Sequence, residues 1–568
     1  MKSTRYSKLF LFAVLSILLF LAAPALAQDA SAIPDTAESW DEETAVRILF
    51  DRDTVDVRGD GAMLSNGILT IDKAGTYVLA GTWAGGQVCI DAGKKDVVRL
   101  IFNGVSIHCP DSAPLYAIKA GKVILTLAKD TQNALSDGGA YTYPGEEPDA
   151  ALYVQDSLLI NGRGSLAVTA SFMHGIVAKD DLLIEGGILS VTAAGVGIRG
   201  RDTLTISGGD ITVTAMGDAL QANNGDDPEK GRILLTGGTC HLTSLKDGIQ
   251  AESSLTISGG DYTLYTGGVT ADSGEEALEN RSTGGSSADA AGKGMKAGGD
   301  IVLSGGTFAL YCADDAINAK GSVTLMDGSF KINTGDDAIR ADRSVTIAGG
   351  SLTVTKCYEG IESAAIFISG GTVDVDAAND GFNTSGSGGD GLEDLVAPDG
   401  TLIRITGGDV TIKALGNGID TSGNVTLEGG TLTVGSSFGS SKSTLDLDGA
   451  LTVSGGTLHV SGGANMVRMS GFDSSQPALM VCFSTPIKGG SRIAMTAAGG
   501  ETVYSCVPAN DFQTILLCAP GLCREESYAL TVNGEALFTA ALHGAFTVLS
   551  GDGSQVEGEM PNTAISGR

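Results

Sequence analysis

The sequence is poor in aromatic side chains and in positive charge, and each shortage excludes a class of protein. Aromatic residues make up 5% of the 568 residues, and 36 Lys and Arg stand against 67 Asp and Glu, for a formal net charge of −31. Nucleic-acid binding requires clustered Lys and Arg, so we expect no nucleic-acid partner. Only 13 Pro are present and Gly does not recur at every third position, which excludes a collagen triple helix. The hydrophobic fraction of 42% is too high for a disordered chain.

Long apolar runs are missing after the first 27 residues. Lys2, Arg5 and Lys8 precede the apolar segment Leu9–Ala23, and Ala25–Ala27 supplies small residues for cleavage. This pattern predicts a signal peptide, and therefore a protein that is secreted, extracellular or associated with the cell surface. No later run approaches the length that a membrane-spanning helix needs, so we expect no membrane insertion.

Close pairs of metal-binding Cys and His are also missing. The nine Cys are scattered without a CxxC pair, and the five His stand at no ligand spacing to them, which disfavours a zinc site. An odd number of Cys is unusual in an exported protein. Cys506, Cys518 and Cys523 lie close enough in the chain for one disulfide to form among them.

Glycine, by contrast, is abundant and periodic. The chain has 82 Gly, and a Gly-Gly pair or a near equivalent recurs most often at an interval of 22 residues. The pairs begin at positions 186, 208, 237, 259, 305, 327, 349, 370, 407, 429 and 455. A fixed period of this length indicates a repeat architecture of about a dozen units between residues 160 and 463.

Each repeat contains three short segments with the alternation of β-strands. In the segment Ser351–Thr355, Leu352 and Val354 would point inward and the three hydroxyl side chains outward. Glycine at the corners permits the positive φ that a sharp bend needs. Three strands and three corners per repeat predict an all-β parallel β-helix with about 22 residues per coil, on the order of 55–60 Å long for a dozen coils. A leucine-rich repeat shares the period, but its Leu-x-x-Leu-x-Leu pattern and Asn ladder are missing.

The regular period covers only part of the chain. Residues before 160 alternate with weaker periodicity, and the strands after 463 are longer, as expected for a small C-terminal β module. The predicted division is a signal peptide at 1–27, a linker at 28–44, irregular coils and an N-terminal cap at 45–160, the regular β-helix at 161–463, the C-terminal β module at 464–545 and a flexible tail at 546–568.

Acidic residues recur at one position of the third strand in successive repeats. That position, the acid column, holds Asp315, Asp337, Glu359 and Asp380, and Asp314 and Asp336 flank it. Like charges on adjacent coils repel each other unless cations lie between them or some acids are protonated. Oxygen ligands without nearby Cys or His suit Ca²⁺, which we expect as the bound ion. Solvated Asp-Gly turns are the alternative, since Asp and Gly suit the bend by themselves.

Other side chains of the same coils could contact a ligand. Tyr265 and Tyr311 hold equivalent outward positions on consecutive coils, where stacked rings would either bind sugar faces or form a cross-strand aromatic ladder. Lys296 and Arg340 lie near the acid column and are candidate polysaccharide-binding cations. Arg340 is also a weak candidate for the base of a calcium-dependent lyase, although a surface ion pair explains it as well.

The third-strand motifs resemble those of a known family. The runs Thr334–Asp342, Tyr358–Ser363 and Asn379–Asn383, with support from Pro148–Tyr153 and Gly292–Ala297, resemble the carbohydrate-binding β-helix family of cellulolytic clostridia. The resemblance implies a polysaccharide-lyase-like, right-handed β-helix that binds calcium and plant cell-wall polymers, cellulose and pectate among them. No catalytic activity is confirmed for that family.

This sequence departs from the family pattern at three places. Ala316 and Ala338 stand where Gly is usual, and Cys357 precedes Tyr358. The expected function is a secreted, non-catalytic polysaccharide-binding protein stabilised by calcium. A calcium-dependent pectate lyase and a cell-surface adhesin or structural rod are the two alternatives, and the oligomeric state is left open.

Overall fold

The computed structural model describes residues 40–142, 147–270, 292–385, 400–436, 439 and 442–556. Every regular element in these residues is a β-strand, and most of them pair in parallel in one long sheet, in agreement with the predicted all-β fold. The predicted signal peptide lies outside the described residues, as do most of the linker and the end of the tail. No helix that could cross a membrane is present in the described part of the chain.

The strands form three stacks, and each coil of the chain contributes one strand to each stack. In the third stack, for example, Ile317 pairs with Ile339, and Ile339 pairs with Ile361. Two longer strands, Ile339–Ile347 and Ile361–Ile368, begin in the third stack and continue into the first stack of the next coil.

The first stack holds the strands that precede the Gly pairs. Its other members are Lys122–Leu127, Ser157–Gly162, Asp181–Ile184, Thr203–Ile206, Arg232–Leu235, Leu255–Ile257, Ile301–Leu303, Val323–Leu325, Thr401–Ile405, Asn424–Leu427, Ala450–Val453 and Gly471–Ser474.

The second stack holds the strands that follow the Gly pairs. Its members are Gln132–Asp137, Ser165–Ala170, Ile188–Ala193, Asp210–Ala215, Thr239–Ser244, Asp261–Tyr265, Thr307–Cys312, Ser329–Thr334, Ser351–Cys357, Thr372–Ala377, Asp409–Ala414, Thr431–Ser436 and Thr457–Gly462.

The third stack holds the short strands that follow the acid column. Its other members are Leu115–Lys119, Ala150–Val154, His174–Ala178, Ile198–Gly200, Leu220–Ala222, Ile249–Ala251, Met295–Ala297, Ile317–Ala319, Phe382–Thr384, Ile419–Thr421, Leu445–Leu447 and Val467–Arg468.

The hydrophobic core lies between the three stacks. Leu352 and Val354 are each 2% exposed, whereas Ser351 lies on the surface, as the alternation predicted. Inside the second stack, the rings of Phe308 and Phe330 stack with centroids 4.5 Å apart. Because burial of apolar area contributes roughly 25 cal/mol per Å², this continuous core is the main source of stability for the stacked coils.

The second glycine of each Gly pair turns the corner between the first and second strands. Gly408 and Gly430 have φ values of 89° and 75°, in the left-handed region that favours glycine. A Cβ added to Gly430 would lie 2.3 Å from the carbonyl oxygen of Gly408, because the corners stack directly on one another. Glycine is therefore required here for both its backbone conformation and its lack of a side chain.

Antiparallel pairs of strands close the stacks at both ends. The N-terminal end contains both parallel and antiparallel strands: Val46–Arg52, Thr54–Arg58, Ala62–Ser65, Ile68–Ile71, Gly75–Trp83, Gln87–Asp91 and Val97–Cys109. Val46–Arg52 pairs in parallel with Gly75–Trp83 but antiparallel with Thr54–Arg58. At the other end, Phe512–Cys518 pairs antiparallel with Thr457–Gly462, the last strand of the second stack.

The C-terminal strands build a second, smaller core. They are Ala478–Ile487, Ile493–Ala497, Thr502–Cys506, Phe512–Cys518, Ser527–Val532, Glu535–Ala541 and Phe546–Ser550. Four of them form a separate antiparallel sheet, and Leu479, Phe512 and Tyr528 belong to a hydrophobic cluster distinct from that of the coils. All nine Cys are unpaired, so the disulfide considered among the last Cys residues is not formed; Cys518 is buried next to Ser474 instead.

Candidate functional site

The acid column lies at the corner between the second and third stacks. Its carboxylates accept hydrogen bonds from backbone N–H groups of the next coil. Asp218 and Asp247 hold the same position of the repeat in earlier coils. Oδ1 of Asp218 accepts a hydrogen bond from the N–H of Asp247 at 3.0 Å, and Oδ1 of Asp247 accepts one from Lys293 N–H at 3.0 Å. Oδ1 of Asp315 accepts one from Asp337 N–H at 3.2 Å. One oxygen of these acids thus satisfies a buried backbone donor between coils.

The second oxygen of Asp218 and that of Asp315 each contact a side chain three residues further along the chain. Gln221 Nε2 donates to Asp218 Oδ2 at 2.6 Å, and Asn318 Nδ2 donates to Asp315 Oδ2 at 2.7 Å. These partners occupy the outward position in the middle of each third-stack strand. The acids therefore carry a structural role that the sequence did not reveal, in addition to any role in binding.

Three of the predicted acids meet in one group, the lower cluster, formed by Asp314, Asp315 and Asp336. Their ligand oxygens lie within 4.8 Å of one another. Lys293 Nζ contacts Asp314 Oδ1 at 2.9 Å and Asp315 Oδ2 at 2.6 Å. Burial, reinforced by Asp315 and Asp314, raises the pKa of Asp336 to about 6, and Lys293 opposes the shift. With all three acids ionised, one ammonium leaves an excess of two negative charges.

A second group, the upper cluster, lies on the following coils and consists of Asp337, Glu359 and Glu362. Their ligand oxygens also lie within 4.8 Å of one another. Arg340 Nη1 lies 3.2 Å from Asp337 Oδ2 and forms a close ion pair with Glu362. Burial, followed by repulsion from Asp315, raises the pKa of Asp337 far above its usual range. This group has the same composition as the lower cluster: three carboxylates and one cationic side chain.

Asp380 lies apart from both clusters. Its Oδ1 accepts a hydrogen bond from the N–H of Asn417 at 2.6 Å, and the next coil contributes this Asn rather than an acid. Asn379 Nδ2 contacts Asp380 Oδ2 at 3.4 Å and Glu359 Oε1 at 3.0 Å. Among the described residues, the structure therefore groups five of the six predicted metal ligands and leaves Asp380 to a structural contact.

Glu362 is the member of the clusters that the sequence analysis missed. It lies in the outward position of a third-stack strand and pairs in register with Arg340. The same outward position holds Gln221, Gln250 and Lys296 in earlier coils. Alignment of this position across repeats would have found Glu362, because an acid three residues after Glu359 faces the same corner.

The two predicted tyrosines form a stacked pair on the outward face of the second stack. The rings of Tyr265 and Tyr311 lie 5.0 Å apart with an angle of 9° between their planes, and both are partly exposed. Tyr311 precedes Asp314 by three residues, so the pair adjoins the lower cluster along the chain. An exposed stack of rings can either bind sugar faces or stabilise neighbouring strands, and the geometry suits both.

The two predicted cations are ion-paired with acids of the column. Lys296 Nζ lies 3.3 Å from Asp247 Oδ2. The ion pairs of Arg340 with Glu362 and Asp337 raise the pKa of its guanidinium, against the opposing effect of burial. A guanidinium that its neighbours hold in the protonated state cannot accept a proton, so the structure disfavours Arg340 as a lyase base.

Comparisons with known proteins agree with the predicted family. A family model described as "Carbohydrate-binding domain-containing protein" matches residues 65–338, which include the lower cluster and Asp337 but not Glu359 or Glu362. A carbohydrate-binding domain-containing protein of Acetivibrio thermocellus is 39% identical over 226 residues, which are 39% of this chain and 79% of the relative.

A solved structure with sequence similarity to this chain is that of the polysaccharide lyase-like protein from C. thermocellum, a gadolinium derivative. Its sequence is 36% identical, the match covers 39% of this chain and 92% of that chain, and the TM-score is 0.39. Since this chain covers more than two thirds of the Acetivibrio relative at 39% identity, it belongs to the family of carbohydrate-binding domain-containing proteins.

Proposed function

We propose that this chain is a secreted, non-catalytic protein that binds plant cell-wall polysaccharides, cellulose or pectate, and that Ca²⁺ stabilises its middle coils. Its coils would wind as a right-handed β-helix with about 22 residues each, because parallel strands are almost always connected with this hand. Membership of a family of carbohydrate-binding domain-containing proteins supports a carbohydrate ligand, and the two carboxylate clusters support the calcium assignment.

The charge balance of the clusters carries the calcium proposal. Each cluster has three carboxylates and one cationic side chain, so one divalent ion would neutralise the excess charge. Carboxylate oxygens are the ligands that Ca²⁺ prefers, and Ca²⁺ tolerates irregular coordination. Asp314, Asp315 and Asp336 would hold one ion, and Asp337, Glu359 and Glu362 another. A bound ion would also lower the raised pKa values of Asp336 and Asp337, because a nearby cation favours the charged carboxylate.

Calcium would also explain how a chain of net charge −31 holds an anionic polymer. An ion that is only partly coordinated by the protein can accept carboxylate oxygens from uronate units. Tyr265 and Tyr311 adjoin the lower cluster, so their rings could support sugar units next to such a bridge.

Retention on immobilised polygalacturonate and on insoluble cellulose, with calcium and with EDTA, tests this function. We expect retention on polygalacturonate in calcium and its loss in EDTA. Asp336→Asn should weaken retention, whereas Asp300→Asn, which changes an acid outside the clusters, should not.

Retention that EDTA does not affect would overturn the calcium bridge, and the absence of binding to either polymer would favour an adhesin or structural rod. Release of unsaturated sugars from polygalacturonate would favour the lyase.

A further inference from the structure

A cleft lies at the C-terminal end of the second stack, far along the chain from the carboxylate clusters. Its floor is the outward face of the strands Asp409–Ala414, Thr431–Ser436 and Thr457–Gly462, and its wall is the segment Tyr504–Asn510. The cleft has a volume of about 360 Å³. Binding sites for small ligands fall in the range of about 300–1,000 Å³.

The floor of the cleft presents hydroxyl groups in register on successive coils. Thr411 pairs with Thr433, and Thr433 pairs with His459. The hydroxyls of Thr411 and Thr433 form no hydrogen bond with another described residue. Rows of free donors and acceptors at strand spacing suit a ligand that itself carries many hydroxyl groups.

The wall adds an apolar rim and a buried hydroxyl. Val507 is 58% exposed, although it is a large hydrophobic residue, and it lines the cleft. Tyr504 is 5% exposed, and its hydroxyl is buried beside the thiol of Cys506, with which it interacts.

The charges around the cleft disfavour an anionic ligand. Lys413 is the cation that lines it, and its Nζ lies 3.5 Å from Asp374 Oδ1. Asp376 pairs in register with Lys413, so two acids face this one ammonium. Burial lowers the pKa of His459 to about 4, which leaves this imidazole neutral at pH 7. A carboxylate in the cleft would be repelled, whereas an uncharged polyol would not.

We propose that this cleft binds the end of an uncharged glycan chain without a metal ion. The floor continues the sheet face that carries Tyr265 and Tyr311, so a glycan lying along this face would meet the wall at Tyr504–Asn510 and end there. Hydroxyl groups of the terminal sugar contact Thr411 and Thr433, and its C–H face packs on Val507. This inference rests on the proposed polysaccharide-binding function and adds a second, calcium-independent site to it.

Calorimetric titration of the full chain with cellotetraose, xylotetraose and trigalacturonate, in calcium and in EDTA, tests the cleft. We expect at least one of the neutral tetrasaccharides to bind with the same affinity in both buffers, and trigalacturonate to depend on calcium. Thr433→Leu fills the cleft and should weaken binding of the neutral tetrasaccharide by about tenfold or more. Thr353→Leu makes the same change on the same face outside the cleft and should leave the affinity unchanged.

A second variant guards against an effect of Thr433→Leu on folding. Lys413→Met removes the ammonium but keeps an unbranched stem, and Lys331→Met is its control on the same face. If the affinity for the neutral tetrasaccharide is unchanged in both cleft variants, or falls equally in the two controls, the cleft is not the binding site. Loss of neutral binding together with intact retention on polygalacturonate would separate the two sites and support the cleft. No binding of either neutral tetrasaccharide by a wild-type chain that is retained on polygalacturonate would overturn the cleft but leave the proposed function standing.

Discussion

Acidic residues at the corner between the second and third stacks make different contacts in two stretches of the chain. In the single-acid stretch, Asp218 and Asp247 are the only acids of their coils at this corner among the described residues. Each accepts a hydrogen bond from one backbone N–H of the next coil and contacts one side chain. In the doubled-acid stretch, the pairs Asp314–Asp315 and Asp336–Asp337 bring two acids to each coil. There each cluster has three carboxylates and one cationic partner, so the acids outnumber the cations.

The difference shows that position in the repeat does not decide the role of an acid. A single acid per coil can link two coils, because one of its oxygens accepts a backbone N–H hydrogen bond and the other contacts a polar or cationic side chain. A second acid adds a carboxylate next to the first, and in the lower cluster burial together with Asp315 and Asp314 raises the pKa of Asp336 to about 6. The comparison predicts that ion dependence is confined to the doubled-acid stretch.

The largest effect should come from removal of the partly buried ammonium that pairs with the acids of the doubled-acid stretch. Without calcium, Lys293→Met leaves Asp314 and Asp315 unpaired, and breaking a buried ion pair costs about 3–5 kcal/mol of unfolding free energy. Lys296→Met, the control, removes an ammonium that is 42% exposed from its ion pair with the buried Asp247. Solvent screens such a half-exposed cation, so the cost should be about 0–1 kcal/mol. Urea unfolding in EDTA measures both. Equal costs would remove the distinction between the two stretches.

Calcium removal should be the next largest effect. At a calcium concentration 100 times the dissociation constant, binding to the native state stabilises it by about 2.7 kcal/mol. Thermal unfolding with and without EDTA should show this change in the wild type. Asp337→Asn should reduce it, because the substitution removes a carboxylate of the upper cluster.

Asp247→Asn is the matched control for calcium removal. It changes an acid of the single-acid stretch at the same position of the repeat. We expect it to keep the full response to calcium. A response that both substitutions reduce equally would place the ion elsewhere than the clusters.

A smaller effect should appear as a pH dependence in the single-acid stretch. Burial, with repulsion from Asp247, raises the pKa of Asp218 above its model-compound value of 3.8. A raised pKa in the folded state means that Asp218 contributes stability below about pH 4 and that this contribution is lost as the pH rises through the folded pKa. The stability of Asp218→Asn relative to wild type should therefore increase with pH in EDTA. Urea unfolding at several pH values measures it, and a decrease with pH would contradict the prediction.

The smallest effect should come from an added acid in the single-acid stretch. Gln250→Glu places a carboxylate at the outward position that Glu362 occupies in the doubled-acid stretch. Lys296 lies beside it in register, and no doubled acid is present, so we expect stability within about 0.5 kcal/mol of wild type and no new response to calcium. A new calcium response would show that three acids near this corner are sufficient by themselves.

Much of the fold could be predicted from the sequence, because the repeat encodes local geometry. The alternation around Leu352 and Val354 identified the buried face, and the Gly pairs identified the corners with positive φ. These features depend on a few neighbouring residues. Their repetition made the parallel stacking predictable as well.

The site was only partly predictable, because its contacts join residues of different coils. Glu362 belongs to the upper cluster through its register with Arg340, and Asp380 falls outside because the next coil offers Asn417. Lys293 was not recognised as a partner of Asp315 because the contact runs between side chains of successive coils. The cleft at Tyr504–Asn510 could not be found at all, since it requires the C-terminal segment to fold back over the last coils.

The antiparallel strands at the two ends have a consequence for how separate molecules meet. A parallel stack that ended in an open strand would offer a template on which a second molecule could add its own first coil, and so on into a filament. Phe512–Cys518 occupies that edge on the second stack, and Thr54–Arg58 occupies an edge at the opposite end. End-to-end polymerisation through these edges is therefore blocked by the chain itself.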